Sequence, residues 1–145
     1  MKTLHATKLL LPLIVSLMFV SCKRNSQYSS VDCASYNYSD CNTTEPLKAG
    51  LNITLTINAD NPQVPITIYQ GKIEEDSIVL TDTITTTKYN VLLPPDYYYT
   101  VKARYLSGQN IIYAIGGDNV KKIKNLVCDS ICWSTEDGYV NVELK

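Results

Sequence analysis

Strict alternation of apolar and polar residues is the feature that most restricts how this chain can fold. In the stretch LNITLTIN, residues 51–58, every odd position is Leu or Ile and every even position is Asn or Thr. Successive side chains of a β-strand point to opposite faces, so this pattern predicts a strand with one buried and one solvated face. A single sheet would leave its apolar face in water, and a second layer is therefore required.

Six further segments show a similar pattern, and residues typical of turns separate them. The segments are residues 64–70, 77–84, 88–93, 97–106, 110–115 and 139–145, with turns expected at 58–62, 72–76, 94–96, 107–108 and 116–119. Strands and turns at these intervals predict an all-β fold, an antiparallel β-sandwich of about seven strands over residues 49–145. In the last segment, Val140, Val142 and Leu144 are expected to face the core.

Residues 119–132 allow two interpretations. Val120, Ile123, Val127 and Ile131 lie at helical spacing, which would also place Cys128 and Cys132 on one helix face. The same stretch also fits an extended connection with a short strand. Periodicity does not decide between helix and strand for runs this short.

The first 21 residues have the organisation of a secretory signal. Lys2, His5 and Lys8 form a polar, positively charged start, and residues 9–20 are almost wholly apolar. A helix needs about 20 apolar residues to cross a bilayer. The apolar run is shorter than this, which disfavours a transmembrane anchor.

Phe19-Val20-Ser21-Cys22 resembles the lipobox of bacterial lipoproteins. The resemblance implies cleavage before Cys22, a diacylglycerol thioether on its sulfur and acylation of the new amino terminus. Buried acyl chains contribute about 0.8 kcal/mol per methylene, so more than one chain gives a stable anchor. The expected organisation is a signal peptide at 1–21, a lipidated flexible tether rich in Ser, Asn and Tyr at 22–48, and a domain at 49–145.

A lipobox followed by a small sandwich looks like the short lipoproteins of Bacteroidetes-type bacteria. That resemblance implies a lipid-anchored protein of the outer membrane. In this group an acidic run after the lipidated cysteine marks export to the cell surface, whereas Lys23-Arg24-Asn25 is basic. We therefore expect the periplasmic side, with surface exposure as the alternative.

Removal of the leader changes the composition in a way that excludes several functions. The mature chain has no His, Met or Phe, because all of these residues lie within 1–21. Without His, the chain cannot carry Ser-His-Asp or Cys-His catalysis or a His-ligated zinc. Two of the 13 Lys and Arg residues are also removed, which leaves 11 against 14 acidic residues and a net charge of −3. A mildly acidic domain is a poor nucleic-acid binder.

Assigning Cys22 to lipid leaves four cysteines, and an exported chain favours disulfides over free thiols. We expect local bridges, Cys33–Cys41 and Cys128–Cys132. A crossed pairing would instead join the two ends of the mature chain, and loop-entropy models give it more stabilisation. A four-cysteine zinc site is the other alternative, although neither pair has the usual Cys-x2-Cys spacing.

The stretch VLLPPDYYYTVKARY, residues 91–105, resembles a strand pair of immunoglobulin-like and transthyretin-like sandwiches. Leu93, Pro94, Tyr99 and Val101 resemble the transthyretin-like phrase Leu-Pro-x-Gly-x-Tyr-x-Val; the glycine is missing, and Asp96 stands in the turn. Asp96-x-Tyr98 alternatively resembles the tyrosine corner of Greek-key sandwiches. The two resemblances use opposite faces of the strand, so they exclude one another in detail.

Two surface features are candidates for modification or binding. Asp-Ser/Thr-aliphatic, the O-glycosylation sequon of the Bacteroidetes group, occurs at Ser77, Thr83 and Ser130, although such short patterns also arise in ordinary strand edges. Tyr97, Tyr98 and Tyr99 are candidate aromatic binding residues, since exposed rings stack on sugars or anchor partner proteins. The simpler explanation is that tyrosine replaces the absent Phe in the core.

Together these features predict a non-enzymatic binding or accessory module, held on the membrane by lipid, with a protein or glycan as ligand. No catalytic residue, metal or cofactor is expected. A structural or pilus-like adhesive subunit that assembles by strand addition is one alternative. A hydrolase that uses carboxylates alone is another, but the adjacent acids Glu74, Glu75 and Asp76 would point apart in a turn.

Overall fold

The computed structural model describes residues 33–145, which form eight β-strands and two short 3-10 helices. The strands are β1 (Ala49–Thr54), β2 (Val64–Gln70), β3 (Ile78–Ile84), β4 (Lys88–Leu93), β5 (Tyr97–Ser107), β6 (Asn110–Val127), β7 (Ser130–Glu136) and β8 (Gly138–Asn141), and the 3-10 helices are Tyr38–Asp40 and Ile73–Glu75. The predicted signal peptide and Cys22 lie outside the described residues. Within residues 33–145, no helix has the length and apolarity to cross a membrane.

The strands form two sheets in a sandwich-like arrangement. The smaller sheet has the order β4-β1-β8 and the larger has the order β3-β2-β5-β6-β7. The prediction of an all-β fold with two layers is confirmed. The expectation of a purely antiparallel sandwich is wrong, because β8 pairs parallel with β1, with Leu51 opposite Gly138. The chain passes from the larger sheet to the smaller at Asp137, the one residue between β7 and β8.

The hydrophobic core lies between the two sheets. Its fully buried side chains come from both layers: Leu51, Ile53 and Leu55 from β1 and its end, Val142 after β8, and Val64, Ile66, Ile68, Tyr99, Val101, Tyr105 and Val120 from β2, β5 and β6. Burying one such aliphatic side chain contributes about 1.5–3 kcal/mol. The predicted alternation is therefore confirmed, since Asn52 and Thr54 of β1 face away from this core.

The turn expected at residues 116–119 is wrong, because these residues lie within β6. These residues continue one strand of 18 residues, paired with β5 without a register shift. The two glycines serve close packing instead of a turn. A Cβ at Gly116 would lie 3.1 Å from the Asn141 carbonyl oxygen, and one at Gly117 would lie 2.7 Å from the Tyr99 carbonyl oxygen. A side chain at either position would push β6 away from its neighbours.

Residues 119–132 are extended, so the helical interpretation is wrong. They form the end of β6, a tight turn at Cys128–Asp129 and the start of β7, with Val127 opposite Ser130. Cys128 has a φ of 54°, the left-handed conformation that such a turn requires. The spacing of apolar residues suggested a helix here, but cross-strand pairing and the cysteine bonds determine the extended form.

The N-terminal segment, residues 33–48, is joined to β6 and β7 by both disulfides. Cys33 is bonded to Cys128, and Cys41 is bonded to Cys132. The expected local pairing is therefore wrong and the crossed alternative is correct. The four sulfurs, being bonded in pairs, are not zinc thiolates. The Trp133 N–H also donates to the Asn42 carbonyl at 2.7 Å, which places the segment beside β7.

A buried hydroxyl links the two layers near the end of the chain. Tyr105 of β5 donates to the Val142 carbonyl at 2.8 Å and accepts the Thr56 N–H at 3.1 Å. Burial raises the pKa of Tyr105, so the hydroxyl stays neutral and able to donate. These two bonds satisfy backbone groups of the two segments that leave the smaller sheet, one after β1 and one after β8.

Replacing Tyr105 with Phe should therefore leave one N–H and one carbonyl in the interior without a partner. We expect the Tyr105→Phe variant to lose about 1–3 kcal/mol of unfolding free energy, measured by urea denaturation. Tyr139→Phe is the matched control, because that side chain is 71% exposed. A loss in Tyr105→Phe no larger than in the control would contradict this role.

The crossed disulfides make a second prediction about stability. Either bond alone closes a loop of more than 90 residues, 95 in sequence for Cys33–Cys128 and 91 for Cys41–Cys132. With one bond in place, the other closes only a short loop made of residues 33–41 and 128–132. Removing either as a Cys→Ser pair should therefore cost about 3 kcal/mol, and removing both about 7 kcal/mol, by urea denaturation. A peptide map linking Cys33 to Cys41 would contradict the crossed pairing.

Candidate functional site

The outward face of the smaller sheet carries an unusual set of polar side chains around one exposed aromatic ring. We call this surface the polar platform, and it is formed by Asn52, Thr54, Lys88, Asn90, Asp137 and Tyr139. A shallow cleft of about 350 Å³ lies over it. The side chains come from all three strands of the sheet and from the β7–β8 junction.

Strand register places three of these residues in one row across the sheet. Asn52 of β1 is opposite Asn90 of β4 and opposite Tyr139 of β8. The Asn90 side-chain amide donates to the Asn52 side-chain oxygen at 2.9 Å, and Asn52 in turn donates to Asp137 at 3.4 Å. Asn90, Asn52 and Asp137 are therefore joined in a hydrogen-bonded chain that ends at a carboxylate.

Asp137 is held in place by the backbone of β1. Its carboxylate accepts the Gly50 N–H at 2.8 Å. A Cβ at position 50 would lie 2.6 Å from the other carboxylate oxygen, so a glycine is required for this approach. On the neighbouring strand, the Tyr139 N–H donates to Asp118 at 2.9 Å. The Asp137 carboxylate and the Tyr139 backbone are thus fixed before any ligand arrives.

Among the aromatic side chains of residues 33–145, Tyr139 is the most exposed, with 71% of its surface accessible. Its ring stands beside amides that both donate and accept hydrogen bonds. Lys88 adds a cation at the edge of the cleft. An apolar ring face next to fixed amides and a carboxylate suits a ligand that has one apolar face and several hydroxyl groups.

A second cleft, the Tyr97 cleft, lies where the N-terminal segment meets β5 and β6. It is lined by Pro46, Leu47, Pro94, Pro95, Asp96, Tyr97 and Lys122. Lys122 contacts Glu45 at 2.6 Å and Asp96 at 3.2 Å, so its charge joins the segment to the domain. These hydrogen bonds raise the pKa of Lys122, and the Lys122 N–H lowers the pKa of Asp96. The charges of this cleft are therefore already paired.

The three consecutive tyrosines do not form one binding surface. Tyr99 is fully buried, and its hydroxyl donates to the Pro94 carbonyl at 2.8 Å. Tyr97 is exposed beside the Tyr97 cleft, while Tyr98 is exposed on the opposite face. The hydroxyl bond to a backbone carbonyl upstream is therefore made by Tyr99, on the inward face of β5, and Tyr98 lies on the outward face.

The other predicted residues are spread over the surface. Ser77 and Thr83 are exposed, one before β3 and one within it, and Ser130 is half-buried at the start of β7. All three hydroxyls remain candidates for O-glycosylation. Among the described residues, no three His, Cys, Asp or Glu side chains are grouped so as to hold a metal ion.

Sequence reasoning missed the polar platform, although a signal for it was present. Asparagine is depleted in strands, yet Asn52, Asn90 and Asn141 occupy outward positions on the three strands of the smaller sheet. One asparagine in a strand is unremarkable. Their recurrence on three strands becomes meaningful only once the strands are known to be neighbours.

No protein-family model matches the chain, and no curated protein or solved structure is significantly similar to it. The likeness to lipoproteins and to immunoglobulin-like or transthyretin-like domains thus stays an expectation from the sequence. What the polar platform binds is argued from its own geometry and chemistry.

Proposed function

We propose that this protein is a lipid-anchored, non-enzymatic binding module of the bacterial outer membrane that takes an oligosaccharide on the polar platform. The observation that carries the proposal is the exposed Tyr139 ring next to the hydrogen-bonded row of Asn90 and Asn52. Periplasmic orientation follows from the basic residues after Cys22, as the sequence suggests.

The chemistry of the platform favours a sugar over an apolar peptide. Sugars present an apolar ring face for stacking on an aromatic side chain and hydroxyl groups for amides and carboxylates. The row offers an aromatic ring and two amides within one cleft, and the Asp137 carboxylate, fixed by Gly50, accepts from one of these amides. An apolar peptide would leave the remaining hydrogen-bonding capacity of these amides unused, which costs about 1–3 kcal/mol for each unsatisfied group that is buried.

Export to an oxidising compartment is supported by the disulfides. Two bonds connect segments more than 90 residues apart, and such bonds persist in the periplasm but are rare in the cytosol. The lipobox resemblance at Cys22 supplies the membrane attachment in this proposal. The N-terminal segment would then connect the anchor to the domain.

We also assign the domain to the immunoglobulin-like or transthyretin-like group of sandwiches as part of this proposal. In support, the Tyr99 hydroxyl bonds to the Pro94 carbonyl five residues upstream, and Asp96 adopts a φ of 69° in the turn before β5. Fold membership carries no function by itself.

Removal of the exposed ring tests the ligand class. On a microarray of neutral and acidic oligosaccharides, the purified protein should retain a defined glycan. Tyr139→Ala and Asn90→Ala should each weaken binding by about tenfold or more, as expected for interface residues worth over 1 kcal/mol. Tyr98→Ala, which removes an exposed ring from the other sheet, is the control and should bind normally. Equal binding by all variants, or none by the parent, would refute a glycan site.

The anchor is tested separately at Cys22. Cells labelled with a palmitate analogue should yield a labelled, membrane-associated protein, and Cys22→Ala should abolish the label because no thiol remains to be acylated. Ser21→Ala is the matched control, since alanine also occurs at that lipobox position, and it should keep the label. Labelling that persists in Cys22→Ala would disprove lipidation at this residue, whatever the result for glycans.

A further inference from the structure

One edge of the larger sheet lacks a neighbouring strand over the first half of β6. Residues 110–120 of β6 pair with β5 on one side, and β7 pairs with β6 on the other side only from Lys121 onward. Among residues 33–145, no strand is paired with β6 at 110–117 on that second side. We call this free segment the β6 edge.

The backbone groups that point to the β6 edge follow from the register. The Val120 carbonyl accepts the Asp96 N–H, so Val120 faces β5. Backbone groups of successive strand residues point to alternate sides, and the pairing of β5 with β6 has no bulge. The odd residues Ile111, Tyr113 and Ile115 therefore present their N–H and carbonyl groups at the open side.

The side chains at the β6 edge are also apolar and exposed. Ile111 is 48% exposed, Tyr113 50% and Ile115 57%. All three lie on the outward face of the larger sheet, where Lys102 places its amine 4.5 Å from the centre of the Tyr113 ring. Exposed apolar residues on an unpaired strand are the usual signature of strand-to-strand association.

Other edges of this sheet are protected, which makes the β6 edge distinctive. On β3, Asp82 pairs with the buried Ile66 and so faces inward, and its carboxylate accepts a hydrogen bond from the Tyr89 hydroxyl at 3.0 Å. Beside β5, Asn61 bonds both the N–H and the carbonyl of Leu106. The N-terminal segment covers β7 through Trp133. A charge, an amide or a covering segment thus blocks association at each of these places.

The sequence of the β6 edge is symmetric about Tyr113, with an isoleucine two residues away on each side. A twofold contact requires a surface that is complementary to itself. We propose that two copies of this chain pair antiparallel along the β6 edge, with the twofold axis at Tyr113. Ile111 then lies opposite Ile115 of the partner subunit, and two five-stranded sheets become one continuous sheet.

The proposed pairing fits the free length of the strand. Antiparallel pairing about Tyr113 places residue 110 of one copy opposite residue 116 of the other. The hairpin turn at 108–109 therefore stops short of the point at Lys121 where the other copy's β6 begins to pair with β7. Arg104 and Lys102 both belong to β5, one strand further from the axis, so their Cα atoms lie at least three strand spacings, roughly 14 Å, from those of the second copy. This exceeds the screening length of about 8 Å at physiological salt. The polar platform lies on the other sheet, and the dimer does not depend on the glycan proposal.

Cysteine crosslinking in cells tests the axis directly. Hydrogen-bonded antiparallel pairs have Cα atoms about 5.5 Å apart, within the range of a disulfide. The full chain with Tyr113→Cys should run as a dimer on a denaturing, non-reducing gel. The parent chain should run as a monomer there, and so should Tyr139→Cys, which replaces a side chain more exposed than Tyr113 (71% against 50%) on the smaller sheet. Ile111→Cys and Ile115→Cys should crosslink only when the two variants are co-expressed.

Sedimentation of the purified full chain in detergent gives an independent measurement. The parent should be dimeric at micromolar concentration, and Tyr113→Lys, which places two like charges at the axis, should weaken the dimer by at least about tenfold. Tyr139→Lys should sediment like the parent. A monomeric parent, crosslinking of Tyr139→Cys as efficient as that of Tyr113→Cys, or crosslinking of Tyr113→Cys to a different protein would each overturn the proposal.

Discussion

The structure depends on covering the inward face of a five-stranded sheet with only three strands. Leu51 and Ile53 of β1 and Val140 of β8 are buried against β2, β5 and the middle of β6. The cover ends before the β5–β6 hairpin does, so Ile112 faces inward on β6 yet remains 41% exposed. The core is thus concentrated where both sheets overlap, and the ends of the longer strands extend past it.

Each extension is stabilised by a different interaction. At one end of β6, two disulfides connect Cys128 and Cys132 to the N-terminal segment. Beyond the smaller sheet, Tyr105 bonds Thr56 and Val142, which closes the interior where the short strands stop. The other end of β6 has no such stabilisation within the described residues. That difference is why the β6 edge is the place for a second copy of the chain.

The predicted strands were largely correct because alternation reports local burial. Residues 51–55 and 101–106 alternate as expected, since one face of each strand packs on the core. The pattern fails at Tyr97, which is exposed, and at Thr100, which is buried, and β1 ends at Thr54. The turn predicted at 116–119 was wrong because glycine serves both turns and close packing, and only the positions of β8 and β5, which pack against Gly116 and Gly117, distinguish the two uses. The pairing of Cys33 with Cys128 was missed for a similar reason, because short spacing favours local bonds until distant segments are known to be adjacent.

The sequence alone determined the layered all-β architecture, the absence of histidine after His5 and the even number of cysteines that follow Cys22. These properties follow from composition and from a period of two, which are local quantities. Tertiary structure decided which strands are neighbours. Only that adjacency brings Asn52, Asn90 and Tyr139 into one row and leaves Tyr113 at an open edge, because both depend on the register between segments far apart in the chain.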